Sequence, residues 1–148
     1  MIQVKEISSD YCIEIRNEVL WPYKNLNKCN LDEDYSDYSF HLAAYFNNEL
    51  VCVGSFFKQI NSKLRFLNQY RLRAMATLPK ARNKGAGKAL IFHACSKLEV
   101  RGQEVLWCDA REIAIKFYKK SGFNILGDSY EIPIIGTHYL MYRKLSFH

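Results

Sequence analysis

Residues 2–7, "IQVKEI", alternate apolar and polar positions with the period of a β-strand. Ser8-Ser9-Asp10 then offers a helix N-cap, and Ile13, Val19 and Leu20 are spaced to face a core. That helix is predicted to end near Trp21-Pro22, because the residue before a proline avoids the helical region. Residues 23–37 are polar and rich in tyrosine, which predicts loop and short helix. "FHLAAYF", the turn "NNE" and "LVCVGSFFKQI" read as a hairpin. After "NSK" the run "LRFLNQYRLRAMATL" predicts one long strand, residues 64–78, stopped by Pro79. Gly87, Leu90, Ile91, Ala94, Cys95 and Leu98 then recur at helical spacing, up to Arg101-Gly102. "EVLWCDA" is nearly continuous in apolar residues, the mark of a central strand buried on both faces. Ala114, Phe117 and Tyr118 share a face of the next helix, with Gly122 at its C-terminal end. "NILGDSYEI" and "HYLMYRKL" are two further strands. The order β-α, three strands, then α-β-α-β-β specifies a mixed α/β sheet in one domain.

Composition narrows the class. The chain has 148 residues, 49% of them hydrophobic, which suits one domain with a substantial core. No apolar run reaches the ~18 residues that span a bilayer, and "MIQVKEISSD" lacks the apolar stretch of a signal peptide. The five cysteines, Cys12, Cys29, Cys52, Cys95 and Cys108, are scattered, with no C-x-x-C pair. They predict a reducing, cytoplasmic setting and no structural metal site. The net charge of +6, concentrated between Lys80 and Lys120, suits an anionic partner. No helix-turn-helix or aromatic RNA-binding signature accompanies it, so no nucleic acid is expected.

The anion has an evident place. "ARNKGAGKAL", Ala81 to Leu90, puts two glycines and three basic residues between a strand and a helix. A helix N-terminus carries unpaired N–H groups and partial positive charge, and glycine lets the backbone approach a bulky anion. A P-loop is excluded, since Arg82 stands at its first glycine and Ala89 follows Lys88. A dinucleotide fingerprint starting at Gly85 fails at Leu90. The segment fits another pattern, R/Q-x-x-G-x-G/A, as Arg82-Asn83-Lys84-Gly85-Ala86-Gly87.

With this loop after "MATLP", and with "AIKFYKKSGF" (Ala114 to Phe123) downstream, the sequence resembles the GNAT superfamily of acyl-CoA-dependent N-acetyltransferases from about Phe40 to Leu145. "IRNEVLWP", "LWCDAR" and "IGTHYLMYRKL" are similar to small bacterial members without assigned substrates. The resemblance implies a single GNAT domain over residues 1–148. It implies a mixed, mostly antiparallel sheet of about six to seven strands with helices on both faces. Acetyl-CoA is the implied cosubstrate, with an amine as acceptor and no metal or membrane; a homodimer is left open. The pyrophosphate falls to Arg82, Asn83, Lys84, Gly85, Ala86, Gly87 and Lys88. Met75, Ala76 and Thr77 fall to the pantetheine amides, in a strand implied to splay from "EVLWCDA", and the Met75 N–H to the thioester carbonyl. Arg111, Ala114 and Phe117 line the same arm, although many members carry asparagine at Arg111.

The resemblance makes Tyr118 the proton donor to the departing thiolate. A thiol pKa near ~8.5 and a phenol pKa near ~10 suit that transfer. A lysine-like acceptor, near pKa ~10.4, must first lose a proton. Histone-type members supply a glutamate where this chain has Arg71 in "NQYRLRAM". Asp109, His138, Glu131 and a water relay are the alternatives for the base, with Asp109 taken as the catalytic choice. Cys108 has no adjacent histidine and reads as a buried structural thiol, so direct attack in a ternary complex is expected. Tyr23, Tyr35, Tyr38 and the acidic Asp32–Asp37 segment suit a cationic amine. A non-catalytic acyl-CoA-binding module of the same fold is the alternative.

Overall fold

Strands form at Ile2–Ile7 (β1), Phe40–Phe46 (β2), Glu49–Lys58 (β3), Gln69–Thr77 (β4), Val105–Arg111 (β5), Asn124–Ile132 (β6) and Gly136–Lys144 (β7). Helical segments include Ile13–Ile15 (α1), Ala86–Val100 (α2) and Ile115–Lys120 (α3). The structure, a computed structural model, describes residues 1–146. The strands join one mixed α/β sheet in the order β1-β2-β3-β4-β5-β7-β6. The pairs β1–β2, β2–β3, β5–β7 and β6–β7 are antiparallel, and β4–β5 is parallel. By internal contacts the chain divides into two compact units, Met1–Lys58 with Leu72–Ala94, and Gln59–Arg71 with the residues from Cys95 onward.

In the first unit, β2 and β3 pair as a hairpin from Phe40↔Phe56 to Phe46↔Glu49. Asn47 (φ 49°) and Asn48 (φ 68°) both take left-handed conformations at its turn. Asparagine tolerates that region, and the resulting turn matches the twist of the two strands. Cys12, Ile15, Ala43, Val53 and Ala76 form the core there. Leu90 and Ile91 of α2 are fully buried in the same unit. Each contributes on the order of 1.5–3 kcal/mol by leaving water.

The helix expected up to Trp21 is a succession of single turns: a 3-10 turn at Ser9–Cys12, α1, and a π turn at Arg16–Leu20. The fully buried Arg16 occupies this irregular stretch. Its guanidinium donates to both carboxylate oxygens of Asp34 (2.8 and 2.9 Å), to the Cys29 carbonyl (3.1 Å) and to Ser55 Oγ (2.8 Å). His41 extends the network through Ser55 Oγ (2.7 Å) and the Asp34 carbonyl (2.9 Å). Burial is the largest single influence on the Asp34 carboxyl and pulls its pKa upward. The Arg16 hydrogen bonds, the Leu31 N–H and the charges of Arg16 and His41 together outweigh it, so the carboxyl titrates below its ordinary range. The acidic segment is thus partly engaged internally, because Glu33 also pairs with Arg73 at 3.3 Å.

In the second unit the strand expected from Leu64 begins only at Gln69. Gln69 is buried, and its amide donates to the carbonyls of Phe66 (2.8 Å), Leu64 (3.2 Å) and Asn61 (3.3 Å). Its Oε1 accepts from the Asn61 N–H at 2.9 Å. One side chain therefore satisfies a folded turn where the sequence predicted extended chain. Leu64, Trp107 and Leu140 form the core of this unit, with Phe66, Leu126, Tyr130 and Tyr142 around them.

All five cysteines are free and buried. Burial pushes the thiols of Cys12, Cys52 and Cys95 up to about 11.

Candidate active site

The candidate residues fall into two groups, one in each unit. In the first, β4 carries Met75, Ala76 and Thr77 to its end. Ala74 adopts a left-handed φ of 54° immediately before Met75, a break in the extended run. Ala76 is buried, and the Thr77 hydroxyl donates to Cys52 Sγ at 3.2 Å. The Leu78 N–H donates to the Val51 carbonyl at 2.8 Å, and Pro79–Ala81 form a 3-10 turn. The chain then exposes Arg82, Asn83, Lys84 and Gly85, while Ala86 and Gly87 are buried and Lys88 is exposed.

Gly85 has φ +85°, and a Cβ there would meet only Ile2 Cδ1, at 3.8 Å. Conformation, rather than space, calls for glycine at this position. The Ala89 N–H is bonded to the Gly85 carbonyl at 3.0 Å. Helical geometry leaves the N–H groups of Ala86, Gly87 and Lys88 without intrahelical acceptors. Lys84 Nζ lies 4.8 Å from the Phe46 ring centroid. The loop therefore joins three exposed cations to the positive end of a fifteen-residue helix.

The second group is built on β5 and α3. The end of α3 is a Schellman motif: the Phe123 N–H bonds the Tyr118 carbonyl at 3.0 Å and the Gly122 N–H bonds the Lys119 carbonyl at 3.1 Å. Gly122, at φ +90°, supplies the left-handed residue this motif needs. The Phe123 ring packs on Tyr118 with centroids 5.3 Å apart, and Phe117 approaches at 5.1 Å. Tyr118 is thereby buried, and its hydroxyl is a hydrogen-bond partner of the Cys108 thiol. Burial drives the Cys108 thiol far above its ordinary range, with the Asp109 charge adding to the rise. Cys108 is no nucleophile at neutral pH.

Alternate residues of a strand face opposite ways, so Asp109 lies on the other face of β5 from Cys108. Both Asp109 oxygens are engaged. Arg71 donates to Oδ2 at 2.6 Å, and the Tyr130 hydroxyl donates to Oδ1 through a short hydrogen bond. Arg71 also donates to Gln59 Oε1 at 3.3 Å and lies 4.9 Å from the Trp107 ring centroid. Burial, then the Asp109 hydrogen bond and charge, raise the Tyr130 phenol above its ordinary range and keep it a donor. Arg111 pairs across the ladder with His138, and Asp109 with Leu140. Ala114 caps α3. Glu131, exposed, accepts from the Thr137 hydroxyl at 2.6 Å.

Sequence reasoning located Asp109 and His138 individually but missed the Arg71–Asp109–Tyr130 chain. The alternation of β4 was visible, yet nothing in the spacing pairs Arg71 with a residue 38 positions away. Among the described residues, no group of three or more His, Cys, Asp or Glu is placed to hold a metal ion. No described helix is long and apolar enough to cross a membrane.

A mixed sheet with a glycine-rich loop opening α2 and a tyrosine signature at α3 defines the class, and a family comparison agrees. The model of the acetyltransferase (GNAT) family matches residues 2–123, and the chain belongs to that family. It is 39% identical over 145 residues to the uncharacterized N-acetyltransferase YitI of Bacillus subtilis, covering 98% of this chain and 97% of that protein. Its fold is similar to the crystal structure of Escherichia coli ElaA, with TM-score 0.76 at 18% identity over 97% of this chain and 99% of the other. It is also similar to an aminoglycoside 6'-N-acetyltransferase complexed with coenzyme A, with TM-score 0.74 at 14% identity over 99% and 98% of the two chains.

Proposed function

We propose that this chain, as one N-acetyltransferase domain over residues 1–148, transfers the acetyl group of acetyl-CoA to a primary amine. The observation that carries the reading is the exposed cationic loop Arg82–Gly85 running into the first turn of α2. In this reading the free N–H groups of Ala86, Gly87 and Lys88 and the Arg82 side chain hold the pyrophosphate, with Asn83, Lys84 and Gly85 shaping the approach. Met75, Ala76 and Thr77 offer backbone groups to the pantetheine arm, and Arg111, Ala114 and Phe117 flank it. Tyr118 protonates the departing thiolate. The acceptor attacks directly, which agrees with the inert Cys108. The relative complexed with coenzyme A is consistent with the cosubstrate. Asp109, with both oxygens engaged, is better suited to holding Arg71 and Tyr130 than to taking a proton.

Thermal denaturation with added CoA tests the binding step. A ligand at roughly 100 times its Kd stabilises the native state by about 2.7 kcal/mol, so the melting temperature is expected to rise by several degrees. Gly85→Glu is expected to abolish the rise while the protein stays folded, since the strain at φ +85° is roughly 1 kcal/mol and the carboxylate repels pyrophosphate. Arg82→Ala is expected to reduce the rise more than Lys144→Ala does. No rise in the wild type at millimolar CoA would remove the proposal, and equal effects of the two alanine variants would assign binding to general charge.

A further inference from the structure

The proposed reaction leaves one proton unassigned, that of the acceptor ammonium, and the residues nearest the expected base are already engaged. His138 is differently placed. It lies in β7, outside the residues matched by the family model, and is only 4% exposed. Its Nδ1 is 2.8 Å from the Gly136 carbonyl oxygen. A carbonyl only accepts, so Nδ1 carries a hydrogen, and in the neutral ring the lone pair is then on Nε2. The ring stacks on Tyr130 at 6.2 Å between centroids and 27° between planes. Tyr130 is fixed in turn by its bond to Asp109, and Asp109 by Arg71. The imidazole is thus held on two sides with one tautomer.

The sheet register sets its direction. His138 is paired with Arg111 on β5 and with Tyr130 on β6. Paired residues share a face, so His138 lies on the Asp109 face of β5, while Cys108 and the Tyr118 hydroxyl that reaches it belong to the opposite face. A proton donor and a proton acceptor on opposite faces of one strand do not neutralise each other, and each can serve a different end of the reacting group.

We propose that His138 Nε2 is the general base that deprotonates the acceptor amine, with Tyr130, Asp109 and Arg71 acting as positioning residues. This rests on the acetyltransferase reading above. His138 takes one proton from the ammonium and later gives it to solvent. The freed amine attacks the acetyl carbonyl; the C–N bond forms and the C–S bond breaks. The thiolate takes the Tyr118 proton, and the second nitrogen proton restores Tyr118. The products are the amide, the CoA thiol and one released proton. The charged and titratable groups on the His138 face are Arg111 and Asp109 of β5 and Tyr130 of β6, with Lys63 Nζ 5.8 Å from the Tyr130 ring; Glu131, paired with Thr137, lies on the opposite face.

The test compares wild type and His138→Gln, which retains a side-chain donor and has no basic nitrogen. Free thiol released above the rate without protein is measured with two acceptor types: an amine panel protonated at neutral pH, and hydroxylamine, which is already unprotonated there and whose direct reaction with the thioester is subtracted. With the amines, the variant is expected to lose roughly 10²–10⁴-fold in kcat/KM at neutral pH and to have the acidic limb of its pH profile displaced upward, recovering activity as the pH approaches the amine's own pKa. With hydroxylamine the two proteins are expected to agree within a few fold, and the CoA-dependent thermal shift is expected to be unchanged. An unaltered profile with the amines overturns the role of His138 alone, as does an equal loss with both acceptors. A wild type that releases no thiol with any acceptor overturns the acetyltransferase reading together with this one.

Discussion

Tyr118→Phe is expected to lower turnover by roughly tenfold to a thousandfold, around the range usual for an acid–base group, while CoA binding barely changes. The ring remains packed on Phe123 and beside Phe117, so the helix end that holds it persists. Only the hydroxyl is lost, and with it the bond to the Cys108 thiol. A thiol is a weak acceptor, so stability is expected to stay close to wild type. The deficit should shrink with an acyl donor whose thiol is more acidic, because a better leaving group needs less protonation. Rates are compared at saturating acetyl-CoA, with the folded fraction measured by circular dichroism on the same samples. Full activity in a folded variant would reduce Tyr118 to a core aromatic and place the proton transfer with water.

Asp34→Ala is expected to have the largest effect on stability. It leaves the Arg16 guanidinium buried without its counter-charge, keeping only the Cys29 carbonyl and Ser55 Oγ. Breaking such a pair costs about 3–5 kcal/mol, which at this chain length lowers the melting temperature on the order of ten degrees. Asp34→Asn keeps hydrogen bonding and should lose less. The sign with pH follows from the depressed carboxyl of the folded state. Its stabilisation is complete above the unfolded value near ~3.9 and is lost as the pH falls through the lower folded value. The wild-type advantage over Asp34→Asn, read from urea midpoints, should therefore persist at pH 7 and shrink in strong acid. A constant advantage down to that range would mean that the charge of Asp34 is not the source.

Local periodicity made much of this fold legible. The helix spacing from Gly87 to Leu98 corresponds to α2, and Asn47-Asn48 turns the hairpin as its composition suggests. The Arg82–Gly87 pattern was visible because its chemistry is contiguous. What was not legible depends on partners distant in sequence. Arg16 sits in "IRNEVL" like any solvent-facing helical cation, and it is Asp34, Ser55 and the Cys29 carbonyl that make its burial tolerable. Leu64 to Asn68 belong to a run that reads as one long strand, yet the Gln69 amide folds them into a turn. Arg71 stood out only as a missing carboxylate; its bond to Asp109 needs the parallel register of β4 and β5.

The buried cysteines make the native chain chemically quiet and its openings audible. A thiol-reactive dye needs both access and thiolate, and the fold withholds the two at once: burial at all five positions, and raised pKa values at Cys12, Cys52, Cys95 and Cys108. Opening restores both, so labelling kinetics count excursions from the native state. Cys12, Cys29 and Cys52 belong to one compact unit, Cys95 and Cys108 to the other. The sequence thus carries its own clocks in each, with no engineered probe, and ligands that steady one unit should slow its own cysteines.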